Sequence, residues 1–155
     1  MSTADSRKEG ILRDRPARQI VRRLINSRRS EGADGDSSAS AAAGDHLYRE
    51  LSRWVGPDGC HALFARALAE ARREYTPLGQ IQLRAGTDPY IGGVAETVAA
   101  HADAPTGKAL EAMLVHLVEL LGRLIGDDMA TKLIERSSFA SERANHTSHS
   151  KREKA

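Results

Sequence analysis

The densest run of regularly spaced apolar residues in the chain is Lys108 to Ser137, KALEAMLVHLVELLGRLIGDDMATKLIERS. Taken at 100° steps from Lys108, the residues Leu110, Met113, Leu114, Leu117, Val118, Leu121, Leu124 and Ile125 fall on one arc of about 140°, which Leu120 widens to about 160°. That is broader than the seam of a two-stranded coiled coil, so the pattern predicts a helix packed against several neighbours. If the same helix ran on past Gly126, Met129, Leu133 and Ile134 would emerge on the opposite, polar side. A break is therefore expected at Gly126, with Asp127 or Asp128 capping a second short helix that folds back.

Upstream, Leu47, Tyr48, Leu51, Trp54 and Val55 recur at helical spacing from Asp45, with Trp54 as the expected main anchor. Gly56-Pro57-Asp58-Gly59 stops that helix, and Asp58 is placed to cap the next, which runs to about Tyr75 and buries Leu63, Phe64, Ala67, Leu68 and Ala71. Residues 76–93 hold Pro77, Gly79, Gly86, Pro89, Gly92 and Gly93, and only Ile81 and Leu83 alternate like a strand. A single hairpin or an ordered loop fits. Val94 to Ala102 reads as a short helix facing inward through Val94 and Val98, and Ala104-Pro105-Thr106-Gly107 as the turn into the central segment. The fold class is all-α, a small bundle of about five helices over residues 45–136.

The ends read differently. Residues 1–10 are polar and unpatterned, while DRPARQIVRRLINSRR from Asp14 places Ile20, Val21, Leu24 and Ile25 on one helical face. Residues 1–29 are thus expected to be a flexible basic arm with a short amphipathic helix. Residues 30–44, SEGADGDSSASAAAG, carry no large apolar group and read as a flexible linker, and residues 137–155 as a disordered tail.

Aromatic residues make up 4% of the chain against abundant Ala and Leu, which favours aliphatic helix packing over strands. The net charge of +2 conceals an asymmetry: residues 1–29 hold nine Lys/Arg against three Asp/Glu, and residues 45–136 hold ten against thirteen. A polyanion would be met by the arm and not by the body. Cys60 is the only cysteine, so neither an intrachain disulfide nor a cysteine zinc cluster is expected. With Ile11 and Leu12 isolated among charges and no long apolar run, the expected location is cytoplasmic, with no membrane contact.

Candidate chemistry concentrates in the arm, where Arg15, Arg18 and Arg22 share a face beside Arg23, Arg28 and Arg29. Three roles are open to these residues together with Ile20, Val21, Leu24 and Ile25. The arm could be a solvated, frayed helix. It could contact nucleic acid phosphates without sequence specificity, since no aromatic residue is interleaved for stacking. It could also dock as a helix into the groove of an acidic partner protein. On the central helix, Val115, Val118 and Gly122 form a strip where a helix-interior glycine, costing about 1 kcal/mol relative to alanine, points to close approach of another backbone. That neighbour is another helix of the chain or a second protomer in a homodimer.

Elsewhere no metal is expected, because no two histidines stand at i, i+4, and no cofactor motif is complete: Pro105-Thr106-Gly107-Lys108 lacks the frame of a phosphate-binding loop. Cys60 and His61 point about 100° apart on a helix, which favours a structural cysteine over an activated nucleophile. His116, at the polar margin near Glu119 and Arg123, has the placement of a phosphotransfer histidine and equally of a boundary residue. Asp127 and Asp128 are explained as caps. The segments GCHALFARALAEAR (59–72) and LVELLGRLIGDDMATKLIE (117–135) resemble short uncharacterised bacterial all-α proteins, a resemblance that implies a bacterial source and carries no site residue. The expectation is a non-catalytic regulatory or adaptor protein acting through protein contacts; the alternative is a nucleic-acid-associated protein acting through the arm.

Overall fold

The computed structural model of the chain describes residues 2–136, with side chains from residue 16 onward. The expected tail 137–155 and the Arg15 side chain lie outside the described residues. Six α-helices are present among them: α1 (Ser2–Ser30), α2 (Gly35–Val55), α3 (Pro57–Arg72), α4 (Val94–His101), α5 (Asp103–Ile125) and α6 (127–136). The fold is a small all-α bundle.

The centre is α5, whose broad apolar arc is covered on nearly all sides. Leu110, Met113, Leu114, Leu117 and Leu121 are fully buried, with α2 and α3 as the most extensively packed neighbours and α1 and α4 flanking them. At its start, α5 absorbs the expected turn 104–107. Pro105 is compatible with a first helical turn, where its missing N–H has no intrahelical partner to lose, and the chain break falls instead at Ala102, whose φ is 78°. At its end the helix stops at Ile125, and Gly126, with φ 93°, takes the left-handed turn that L side chains resist. There α6 folds back, burying Ala130 and Ile134 against the core.

Helices α2 and α5 run parallel and in step. The Asp103 carboxylate accepts from the backbone N–H of Asp36 (2.9 Å) and of Ser37 (3.2 Å) and from the Ser37 hydroxyl, so a residue of α5 caps the start of α2. One turn on, the Ser40 hydroxyl donates to the Gly107 carbonyl at 3.2 Å. A Cβ on Gly107 would lie 2.8 Å from the Asp36 carbonyl carbon, so only glycine lets the two backbones approach this closely. Further along, Gly44 lies against Leu114.

Residues 30–44 are therefore not a linker. Only about four of them turn the chain between α1 and α2; from Gly35 onward they are helical, with Ser37, Ala39, Ser40, Ala43 and Gly44 buried. Their small side chains are what a close helix contact requires, and composition alone cannot distinguish that from a chain with nothing to bury. The arm is corrected in the same way. Ile20, Val21, Leu24 and Ile25 are 0–7% exposed and belong to the single core.

Residues 76–93 form an ordered connection with a 3₁₀ turn (Thr76–Gln80) and a two-residue antiparallel ladder, β1 (Gln82–Leu83) against β2 (Ile91–Gly92). Leu78, Ile81, Tyr90 and Ile91 are buried, and Arg72 of α3 donates to the carbonyls of Leu78 (3.0 Å) and Ile81 (2.8 Å), pinning the loop's entry. The Asp45 carboxylate accepts from the Ile91 N–H at 3.0 Å and pins its return. Tyr90 stacks on Tyr48 with centroids 3.7 Å apart.

Two buried side-chain polar atoms lack a hydrogen bond among the described residues, Arg28 Nε and His46 Nε2. His46 is 5% exposed. Burial holds its pKa below the usual imidazole value, and the nearby Arg28 and Arg49 lower it further against the opposing effect of Glu50 and Glu31.

Truncation separates a core arm from an independent one. Leu24→Ala should cost about 2–5 kcal/mol of unfolding free energy in urea titrations, whereas Leu124→Ala, at an exposed site, should stay within about 0.5 kcal/mol; equal small losses would detach the arm from the core. For His46 the unfolded chain binds the proton more tightly than the folded one, so stability is complete above about pH 6.5 and falls as pH drops from there towards the lowered folded pKa. Thermal melts between about pH 7.5 and about pH 5 should show this loss, with a shallower slope in His46→Gln. An unchanged slope would assign the loss to other groups.

Candidate functional site

Four of the arm's arginines are turned into bonds with the chain's own acids. Arg22 Nε lies 3.3 Å from Glu111 Oε1 of α5, Arg23 pairs with Glu135 of α6 at 3.5 Å, Arg28 with Glu31 at 2.9 Å, and Arg29 with Asp36. Arg28 is largely buried, but the other three are exposed pairs of a kind that contributes about 0–1 kcal/mol each, so their weight is to cancel local field more than to hold the helix. Arg18 and Arg22 border a groove between α1, α3 and α5 of about 520 Å³, but Glu74, Glu111 and Glu119 border it as well. A neighbouring cleft of about 460 Å³ brings Arg22, Arg29 and Lys108 beside Asp36 and Glu111. Neither presents a purely cationic wall.

The strip on α5 is occupied from within the chain. Val115 and Val118 are 9% and 6% exposed, and a Cβ on Gly122 would collide with the Asp127 carboxylate at the start of α6. Of the two neighbours expected for that glycine, the structure places a segment of the same chain.

The histidine and cysteine candidates are drawn apart. Cys60 is buried, its thiol lies 3.7 Å from the Tyr48 carbonyl, and burial raises its pKa, which keeps the sulfur protonated and unreactive. His61 bonds instead through Nδ1 to the Tyr90 hydroxyl at 2.7 Å, and burial raises the pKa of that phenol. His116 faces two carboxylates, Glu70 of α3 at 3.5 Å and Glu74 just beyond the end of α3 at 4.0 Å. Among the described residues no group of three or more His, Cys, Asp or Glu is placed to hold a metal ion, and no helix is long and apolar enough to cross a membrane.

Sequence reasoning assigned the wrong side to another set of residues. Trp54, Val55, Leu124, Ile125 and Met129, expected in or near the core, are the large apolar side chains left exposed among the described residues. Their helical faces are inward ones: Trp54 and Val55 continue the stripe of buried Leu47 and Leu51, and Leu124 and Ile125 that of buried Leu117 and Leu121. Because α2 and α5 run in step from Asp36 and Gly107, Trp54 and Ile125 both stand eighteen residues further on, level with each other. Both helices then turn at a glycine, Gly56 or Gly126, before anything covers the last apolar turn. The result is one end of the bundle where two core stripes run out into solvent, with Met129 in the first turn of α6 exposed as well. A signal existed in the sequence: each stripe ends immediately before a glycine turn, leaving no following residues to form a cap over it.

No protein-family model, no curated protein and no solved structure matches the chain, so no residue here takes a role from a relative.

Proposed function

We propose that this is a non-catalytic protein that acts through protein–protein contacts, and that the contact surface is the apolar end built by Trp54, Val55, Leu124, Ile125 and Met129. The observation that carries the reading is the exposure of Trp54 (59%), Leu124 (67%) and Met129 (59%) at one end of an otherwise well-filled bundle. Single exposed apolar residues need no explanation, but five large ones at the ends of two core stripes and the start of α6 exceed what a solvated surface requires. Tryptophan in particular is the residue type that most often anchors interfaces.

The competing nucleic-acid reading draws less support. Four of its arginines face carboxylates of the chain itself, and the aliphatic residues that would have accompanied them are in the core. Binding phosphates would mean exchanging one set of anions for another, with little counterion release to drive it.

Two measurements bear on this. A photo-crosslinking residue placed at Leu124 in cells should give a discrete protein adduct that the same residue at exposed Arg73 does not; indistinguishable patterns from both positions would sink the proposal. Duplex DNA at low salt should show no saturable binding, and a steeply salt-dependent affinity abolished by Arg22→Glu with Arg29→Glu would restore the polyanion reading.

A further inference from the structure

We infer that the apolar end pairs with the same end of a second copy of the chain, forming a closed two-fold dimer. This rests on the reading of that end as a contact surface and names its occupant.

The charges around the patch select this occupant. Arg53 and Arg123 are exposed on the last turns of α2 and α5 and Lys132 on the second turn of α6, and Asp58, Asp127 and Asp128 are exposed on the first turns of α3 and α6; Arg53 also faces Glu50 of its own helix at 3.7 Å. With Glu50 included, three cations stand against four carboxylates, so the rim is close to neutral and two-signed. A strongly acidic or basic partner would gain nothing from such a rim, whereas a two-fold rotation can set the cations of one copy opposite the carboxylates of the other.

The helix termini repeat the pattern. Helices α2 and α5 end at this face, each presenting carbonyls and a partial negative charge, and α3 and α6 begin there, each presenting N–H groups and a partial positive charge. Two of each sign on one face again make it complementary to itself.

Size agrees. Taking on the order of 150–250 Å² for a fully accessible large side chain, the five exposed fractions amount to roughly 500 Å² per copy. A two-fold pair would then remove about 1,000 Å² in total, near the lower end for specific interfaces of about 1,200 Å². One copy is therefore expected to hold another reversibly, with monomer and dimer exchanging as concentration changes.

Sedimentation velocity of the full chain from about 5 to about 500 μM, a range suited to an interface of this size, should show the mass rising and levelling at two copies. Leu124→Asp with Met129→Asp, both at exposed sites, should remain monomeric throughout while keeping the helical circular dichroism of the parent. Trp54, the only tryptophan, reports on the face directly: its fluorescence should be readily quenched by acrylamide in dilute solution and protected at least two-fold as the dimer forms. A chain that stays monomeric with Trp54 accessible would overturn the dimer and leave the contact-surface reading standing. A monomer in which Trp54 is already protected would overturn both, since the face would then be covered by its own chain. Mass growth that continues past two copies would overturn the closed pair, as would a dimer that the double substitution leaves intact.

Discussion

The parallel register of α2 and α5 is the constraint from which the rest of the molecule follows. It is set at one end by a carboxylate and a missing side chain: Asp103 caps the α2 backbone across the helix contact, and Gly107 admits the Asp36 backbone against α5. The cap satisfies N–H groups at the start of α2 that would otherwise be orphaned, and does so from another element, so it ties the two helices together while completing one of them. The hydrogen bonds from the Ser37 hydroxyl and then from the Asp36 backbone hold the Asp103 pKa below the usual carboxylate value, which marks the ionised form as the one the fold uses. Once both helices start in step, their lengths decide where their apolar stripes finish. They finish together, one turn beyond the last residue that anything else covers.

The same register explains why the bundle needs both α1 and α6. A pair of parallel helices cannot be joined by a short turn, so α2 and α5 are linked through α3, the ordered loop and α4, and two sides of the resulting groove would stand open. Helix α1 closes one of them by returning antiparallel along α2 through the tight turn at 31–34, bringing Ile20, Val21, Leu24 and Ile25 to the core and Arg22 to Glu111. Helix α6 closes the other, reaching α1 through Arg23 and Glu135. The body's surplus of acids and the arm's surplus of bases, visible in the sequence as an asymmetry, are in part the two sides of one intramolecular seam.

Much of the fold was legible where a periodic stripe ended in turn chemistry. The arc of α5, the break at Gly126, the return of Ile134 and the buried face of α3 around Phe64 all have this form. What was not legible has two physical causes. Small residues are ambiguous: Ala39, Ala43 and Ser40 give the same composition in a solvated linker and in a close helix contact, and only the partner, Gly107 sixty-seven residues further on, decides between them. Periodicity, for its part, gives the direction a side chain faces but not whether a neighbour stands there. Trp54 and Leu124 face the way a core residue faces, and the candidate site arose from the absence of anything opposite them. The arm was misread as independent for the converse reason, since its aliphatic face had an unexpected neighbour.

That inversion bears on how the two kinds of surface should be weighed. The arginines of α1 looked functional because clustered charge is conspicuous in a sequence, yet in the structure the pairs of Arg22, Arg23 and Arg29 are largely exposed and contribute little, and together they leave clefts of mixed sign. The apolar end looked structural because large hydrophobic residues usually are, yet exposing it costs the molecule solvation free energy of about 25 cal/mol for every Å² of apolar surface. A bundle could relieve that cost by ending α2 and α5 one turn earlier or by lengthening the turns at Gly56 and Gly126 into a cover. It has instead two abrupt glycine turns that keep the surface open, with exposed charges of both signs around it, and an uncovered surface whose rim and helix dipoles are close to balanced within itself is suited to meeting its own copy.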